Sequence, residues 1–143
     1  MKYNEYLETL NTCPFCEMDK ERILENGTAF LTYASAPYHA DHLLVIPKRH
    51  FEELSEITDE ELKDADNLQK QALQILSKLG HENVSILVRS GKNSGRSIAH
   101  LHYNIIPDIL LGNVDHGGKD REMMTESEVL DFHARLKSIG LVF

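Results

Sequence analysis

The sequence has no tryptophan, only four prolines and only two cysteines in 143 residues. It also has no apolar run near the ~18 residues that a membrane-spanning helix needs. No apolar stretch follows the first residues as it would in a signal peptide, so we expect a cytoplasmic protein without a membrane partner. The cysteines, Cys13 and Cys16, lie too close in sequence to cross-link a domain of this size, which favours metal or redox chemistry.

Positive charge is also scarce. The chain has 15 basic and 23 acidic residues, which give a formal net charge of −8. Such a chain is a poor general binder of nucleic acid or of an anionic membrane, so a phosphate ligand must be held by a few placed donors. Histidine, in contrast, is abundant, with eight residues. The length predicts a single domain over residues 1–143.

Two helices are predicted from capping boxes, in which a threonine is followed three residues later by a glutamate. The first box is Thr58 with Glu61, and Gly80 is the expected stop. The second is Thr125 with Glu128, which predicts a C-terminal helix at about residues 126–139. Apolar residues recur at helical spacing behind each box: Leu62, Ala65, Leu68, Ala72, Leu76 and Leu79 in the first, and Val129, Phe132, Leu136 and Ile139 in the second.

The strands are predicted elsewhere. Asn26-Gly27 is a hairpin-turn dipeptide. Segments rich in β-branched, aromatic and other apolar residues predict strands at 29–34, 43–46, 83–89 and 97–106. Residues 108–122 are predicted to be a loop. Strands, a long helix, further strands and a last helix indicate an α+β fold with an antiparallel sheet.

The last predicted strand carries the sharpest cluster of polar residues. Alternate side chains of a strand share a face, so His100, His102 and Asn104 should project one way and the apolar residues between them the other. Such polar groups are costly to bury without partners. The preceding loop, residues 90–97, offers backbone N–H groups, a hydroxyl and cations that suit an anion such as phosphate. The alternative is a half-exposed strand whose histidines face solvent.

Cys13-Pro14-Phe15-Cys16 is the second feature. A C-x-x-C knuckle supplies two of the four ligands that zinc takes. The same tetrapeptide is similar to a glutaredoxin-type redox dithiol, although no buried strand precedes it here. Two incidental reduced cysteines are a further alternative. The third feature is the apolar run 43–46, which is followed by Pro47-Lys48-Arg49-His50.

Together these features resemble the histidine triad (HIT) family of nucleotidyl hydrolases and transferases, over about residues 13–107. The match comprises the C-x-x-C knuckle, the stretch 42–50 and the segment 95–106, set against the family pattern Ser-x-x-His-x-His-x-His. The resemblance implies an α+β fold with about five antiparallel strands, a long helix and a C-terminal helix. It also implies a homodimer joined through the long helix and neighbouring strands.

The resemblance assigns roles to individual residues. It makes His102 the nucleophile that attacks the α-phosphate of a nucleotide and forms a covalent histidine–nucleotidyl intermediate. It implies a structural zinc on four residues, and Arg96, Ser97, Asn104 and His42 as phosphate or nucleotide contacts. The implied zinc ligands are Cys13, Cys16, His50 and His100.

The sequence departs from the family at several positions. Asn104 replaces the third motif histidine, and Ala34 stands where an acidic residue commonly binds the ribose. Arg89 and Arg96 make the phosphate end more basic. The prediction is therefore a zinc-containing nucleotide hydrolase or nucleotidyltransferase. The alternatives are a non-catalytic nucleotide- or phosphate-binding module on the same fold and a dithiol oxidoreductase that uses the two cysteines.

Overall fold

The computed structural model describes residues 2–17, 21–109 and 122–140. The chain divides into two compact units, Met1–Leu110 and Leu111–Phe143. The assignment of residues 1–143 to one domain stays a prediction.

A five-stranded antiparallel sheet forms the centre of the first unit, with strand order β1-β2-β3-β5-β4. This confirms the predicted α+β class. The strands are β1 Leu24–Glu25, β2 Ala29–Tyr33, β3 Leu43–Pro47, β4 Val84–Val88 and β5 Tyr103–Pro107. The helices of this unit are α1 Tyr3–Glu8, a 3-10 turn Leu54–Glu56 and the long α2 Asp59–Lys78.

The long helix begins at its predicted cap. The Thr58 hydroxyl accepts from the Glu61 backbone N–H at 3.1 Å, and the Glu61 carboxylate accepts from the Thr58 N–H at 3.0 Å. Gly80 follows the helix with a φ of 96°, a conformation that costs a glycine little. One stripe of the helix is buried: Ala65, Leu68, Ala72 and Leu76.

The two faces of the sheet pack against different groups of side chains. Leu31, Val45 and Ile105 belong to the main core cluster, which packs them with the buried stripe of α2. Alternate residues point to the opposite face, where Phe30 and Leu44 form a smaller cluster against the partly buried Phe15 and Ala34. The sheet is therefore covered by α2 on one side, which leaves the other side to carry a site.

The predicted strand at 97–106 is too long. Strand pairing begins only at Tyr103, opposite Val45 and Val88. The backbone N–H of Leu101 instead donates to the Phe51 carbonyl at 2.8 Å, so the preceding residues follow the loop after β3. His100 and His102 therefore lie on an irregular segment that leads into β5.

The second unit contains α3, Glu126–Ser138. The Thr125 hydroxyl caps it by accepting from the Glu128 N–H at 3.2 Å, which confirms the predicted start. Gly140 has a φ of 98° just after it, a left-handed conformation with which helices commonly end. Most of the predicted loop 108–122 lies outside the described residues.

His81 connects two turns of the first unit. Its Nδ1 donates to Asp108 at 2.5 Å and its Nε2 donates to Asp41 at 2.6 Å. Both aspartates have positive φ, 54° at Asp108 and 65° at Asp41, a left-handed conformation that non-glycine residues adopt at a cost. With both nitrogens donating, the ring is the imidazolium. The hydrogen bond to Asp41, followed by that to Asp108, raises the pKa of His81.

We expect the two hydrogen bonds from His81 to Asp41 and Asp108, which we call the His81 clamp, to make the free energy of unfolding depend on pH. A histidine whose folded pKa is raised contributes stability that is fully present below its unfolded pKa of about 6.5 and is lost as pH rises through the folded value. The Tm of the wild type should therefore fall as pH rises above about 6.5. His81→Gln should lower the Tm at pH 6 and remove this part of the decline.

His39→Gln is the comparison, because His39 is an exposed histidine near the same turns that acts on Asp108 only through space and hydrogen-bonds neither aspartate. It should change the decline in Tm less than His81→Gln does. Parallel Tm–pH curves for the wild type and His81→Gln would show that the clamp is not charged in the folded protein.

Candidate active site and metal centre

The four predicted metal ligands converge on one point. The ligand atoms of Cys13, Cys16, His50 and His100 all lie within 4.8 Å of one another. Cys13 Sγ is 3.4 Å from His100 Nδ1, and Cys16 Sγ is 3.3 Å from His50 Nδ1. A tetrahedral zinc with bonds of about 2.0–2.3 Å places its ligand atoms roughly 3.3–3.8 Å apart. The cluster therefore fits a tetrahedral Cys2His2 metal site.

His100 is oriented for this site by its other nitrogen. Its Nε2–H donates to the Pro47 carbonyl at 2.8 Å, so the lone pair lies on Nδ1, which faces the cysteines. The residue is 1% exposed. Burial, and after it the neighbouring His50 and His102, lower the pKa of His100. The ring is thus held neutral, as a metal ligand must be.

His50 is positioned by the residue before it. The Arg49 guanidinium donates to both carboxylate oxygens of Glu61, at 3.0 Å and 2.8 Å. This bidentate pair, supported by Thr58, lowers the pKa of Glu61 to about 2. The first turn of α2 therefore anchors the turn that carries His50.

The geometry favours the metal interpretation of the cysteines over the redox one. Cys13 Sγ lies against His100 Nδ1 and Cys16 Sγ lies against His50 Nδ1. The two sulfurs therefore face imidazoles that are placed as further metal ligands.

A cleft of about 450 Å³ lies on the sheet side opposite α2. Four of the predicted site residues line it, namely His42, Ser97, His102 and Asn104. Further lining side chains are Tyr3, Tyr6, Phe15, Glu17, Ala34, Tyr38 and Arg89.

His102 presents one nitrogen to this cleft. Its Nδ1–H donates to the His100 carbonyl at 2.8 Å, which leaves the lone pair on Nε2. The Phe15 ring lies edge-on at 5.1 Å between centroids. Burial, and after it the charge of Arg89, lower the pKa of His102. The ring is therefore an oriented, neutral imidazole, the form that can act as a nucleophile.

His42 and Asn104 form a hydrogen-bonded chain beside it. The Tyr38 N–H donates to His42 Nδ1 at 3.2 Å, and His42 Nε2–H donates to the Asn104 Oδ1 at 3.1 Å. The Asn104 amide in turn donates to the Leu87 carbonyl at 3.2 Å. Burial is the main cause that lowers the pKa of His42, which agrees with a neutral ring. The chain fixes the amide orientation of Asn104.

Arg96 is not among the residues that line the cleft. Its guanidinium donates to the Glu52 carboxylate and to the Glu52 carbonyl, both at 3.0 Å. Its predicted phosphate contact stays a prediction, and in the structure it secures the loop before Ser97. Arg89, noted above only as a departure from the family, lines the cleft and contacts the Tyr38 hydroxyl at 3.5 Å.

Four aromatic residues that line the cleft were not predicted, namely Tyr3, Tyr6, Phe15 and Tyr38. Phe15 packs against His102, Tyr38 stacks on His42 at 5.7 Å, and the Tyr3 hydroxyl lies 2.8 Å from Ser97 Oγ. Only Phe15 had a sequence signal, since it stands between the two cysteines. The others come from segments whose position depends on the tertiary fold.

The fold and site define a small α+β protein with a histidine-lined cleft beside a Cys2His2 cluster. The family model described as "HIT domain" matches residues 16–109. The chain belongs to the HIT family, which confirms the resemblance described from its motifs.

Relatives with similar sequences include proteins with assigned activity. An adenosine 5'-monophosphoramidase of Schizosaccharomyces pombe is 30% identical over 101 residues, which cover 67% of this chain and 74% of that protein. An uncharacterized HIT-like protein of Methanocaldococcus jannaschii is 30% identical over 100 residues, 66% of this chain and 78% of that protein.

Solved structures have the same fold. A histidine triad nucleotide-binding protein from Candida albicans superposes with a TM-score of 0.75 at 21% identity and covers 90% of this chain and 96% of its own. A Zn-bound histidine triad family protein from Mycobacterium smegmatis gives a TM-score of 0.62 at 22% identity, with 90% and 97% covered. Within the part of the chain that the structure describes, no helix is long and apolar enough to cross a membrane.

We expect the purified protein to contain about one zinc per chain, held by the Cys2His2 cluster. Structural zinc contributes roughly 10–16 kcal/mol in zinc-finger peptides, and a fold with its own core should gain less. Cys16→Ser should lower both the zinc content, measured by elemental analysis, and the Tm. Thr12→Ser, a conservative change beside the knuckle, is the control. A wild type that is zinc-free and equally stable in chelator would contradict the assignment.

Proposed function

We propose that this protein is a nucleotide hydrolase of the HIT type that acts on the α-phosphate through His102. The observation that carries the proposal is the His102 ring itself, half-buried, neutral and oriented by the His100 carbonyl so that Nε2 holds the lone pair at the cleft. The relatives that are nucleotide phosphoramidases support the reaction class.

The proposed reaction has two displacements. Nε2 attacks the α-phosphorus, a P–N bond forms, and the bond to the leaving group breaks with its electron pair on the leaving group. Water then attacks the same phosphorus, the P–N bond breaks, and a nucleoside monophosphate is released. If another phosphate replaces water as the acceptor, the same intermediate makes the protein a nucleotidyltransferase.

The surroundings of the nucleophile supply the remaining functions. Ser97 and Arg89 line the cleft and can donate to non-bridging phosphate oxygens, where charge develops in phosphoryl transfer. Asn104 is proposed to contact phosphate through the second N–H of its amide, because its carbonyl oxygen is used by His42. Phe15 and Tyr38 offer apolar ring surface to a nucleoside.

We propose zinc as the ion of the Cys2His2 cluster. Four protein ligands would leave no open coordination position, so the metal would be structural. It would hold the knuckle to the segment that carries His100 and His102.

The homodimer stays a prediction. Leu62 and Leu73 are exposed apolar side chains that such an interface could use, and they lie on one side of α2 because they are 11 residues apart.

The nucleophile is tested by removing it. His102→Ala should abolish turnover and covalent labelling while zinc content and Tm stay near wild type, because His102 is no proposed ligand. His100→Ala should lose zinc and stability together with activity. His133→Ala, which removes a histidine from α3, is the control.

The readouts are product formation and intact-protein mass after incubation with a panel of nucleotides and nucleotide conjugates. Turnover that persists in His102→Ala would reject its role. A wild type that binds nucleotide yet never forms product would favour the non-catalytic binding module.

Asn104 should make the reaction depend on the leaving group. A histidine at this position can donate a proton to the departing oxygen or nitrogen, but an amide can only donate a hydrogen bond. General acid catalysis typically raises a reaction rate about 10²–10⁴-fold. Without it, the rate should fall steeply from phosphate or pyrophosphate leaving groups to alkoxide or amine leaving groups. Asn104→His should flatten that slope, and Asn104→Gln, which keeps an amide, should not.

The measurement is the single-turnover rate for a nucleotide series whose leaving groups differ in pKa. No leaving-group dependence in the wild type, or an unchanged slope in Asn104→His, would mean that Asn104 is only a phosphate contact.

A further inference from the structure

The N-terminal helix contributes to the cleft, although it lies outside the residues that the family model matches, 16–109. Tyr3 and Tyr6 of α1 both line the cleft, with their rings stacked at 6.0 Å between centroids. The Tyr3 hydroxyl oxygen lies 2.8 Å from Ser97 Oγ, 94 residues away in sequence. This bond connects α1 to the segment that carries His100 and His102.

The direction of this hydrogen bond follows from the two hydroxyls. A phenolic O–H is a stronger donor than an alcoholic O–H, because the ring delocalises negative charge from the oxygen. Either hydroxyl can donate at this distance, and we assign Tyr3 as the donor and Ser97 Oγ as the acceptor on that ground. A serine hydroxyl otherwise rotates to suit its surroundings. Because one lone pair of Ser97 Oγ accepts the hydrogen bond from Tyr3, the Ser97 O–H is available to donate to another acceptor.

The cleft makes that proton important. Asn104, in place of the third motif histidine, has its carbonyl oxygen bonded to His42 and one amide hydrogen bonded to Leu87. It has no proton to give up. The Ser97 hydroxyl lines the same cleft as His102 and is exposed, so without a fixed partner its proton would turn to solvent water.

We propose that Tyr3 is a positioning residue, which donates to Ser97 Oγ and so directs the Ser97 proton toward the bound phosphoryl group. This inference rests on the proposed function, since it names how the N-terminal helix serves that site. Tyr3 acts through Ser97 and needs no contact of its own with the substrate.

The test is a double-mutant cycle of Tyr3→Phe and Ser97→Ala. Phenylalanine keeps the ring and its stacking on Tyr6 and removes only the hydroxyl. Loss of one oriented hydrogen bond should lower kcat/KM and weaken AMP binding about three- to tenfold in each single variant. Tyr3→Phe should have almost no further effect when Ser97→Ala is already present. Zinc content and Tm should not change.

Tyr6→Phe is the matched control, because it removes a phenolic hydroxyl from the same helix. Any effect of Tyr6→Phe on kcat/KM or on AMP affinity should be the same in the wild type and in Ser97→Ala. Equal effects of Tyr3→Phe in both backgrounds, or no effect in either, would overturn the inference.

AMP affinity, measured by calorimetry, keeps this test separate from the proposed function. If the wild type never turns over a nucleotide, the proposed function fails, and the cycle in AMP binding still decides the role of Tyr3. Non-additive loss of AMP affinity would support the positioning role. Additive or absent loss would overturn it.

Discussion

The site depends on the hydrogen bonds and contacts of His100, because this residue connects three parts of the chain. Its Nε2–H donates to the carbonyl of Pro47 at the end of β3, and its Nδ1 faces the thiols of the knuckle. Its own backbone carbonyl accepts the Nδ1–H of His102. The metal cluster and the proposed nucleophile therefore share one residue, so a change in the cluster would alter the orientation of His102.

The two longer helices, α2 and α3, and most of the sheet were predictable because their signals are local. The Thr58 cap and the stop at Gly80 need only a few neighbouring residues to act, and both are where the sequence places them. The segment 97–102 was assigned wrongly to a strand because alternating polar and apolar residues also occur in an irregular segment that pairs with no strand. What decides its structure is a distant acceptor, the Phe51 carbonyl. The two-residue β1 and six-residue α1 are too short for periodicity to detect.

The difference between local signals and long-range contacts also explains which parts of the site were predictable. The four ligands lie in motifs whose spacing reflects coordination chemistry, and the structure brings them together. Arg96 was grouped with Ser97 because the two are neighbours in sequence. Adjacency in sequence does not determine which side chains share a site, and here Ser97 lines the cleft while Arg96 pairs with Glu52. Tyr3 had no signal, because its contact with Ser97 spans 94 residues.

Four of the described histidines fall into two chemical states that their surroundings impose. Burial lowers the pKa of His42, His100 and His102, so these rings are neutral, whereas two aspartates raise the pKa of His81 and keep it charged. Neutral rings can bind metal or attack phosphorus, but they attract no phosphate. In a chain of net charge −8, attraction has to come from placed groups such as Arg89 at the cleft. The arrangement therefore separates charge for binding from the lone pair for reaction, which is the division that nucleophilic attack on an anionic phosphate requires.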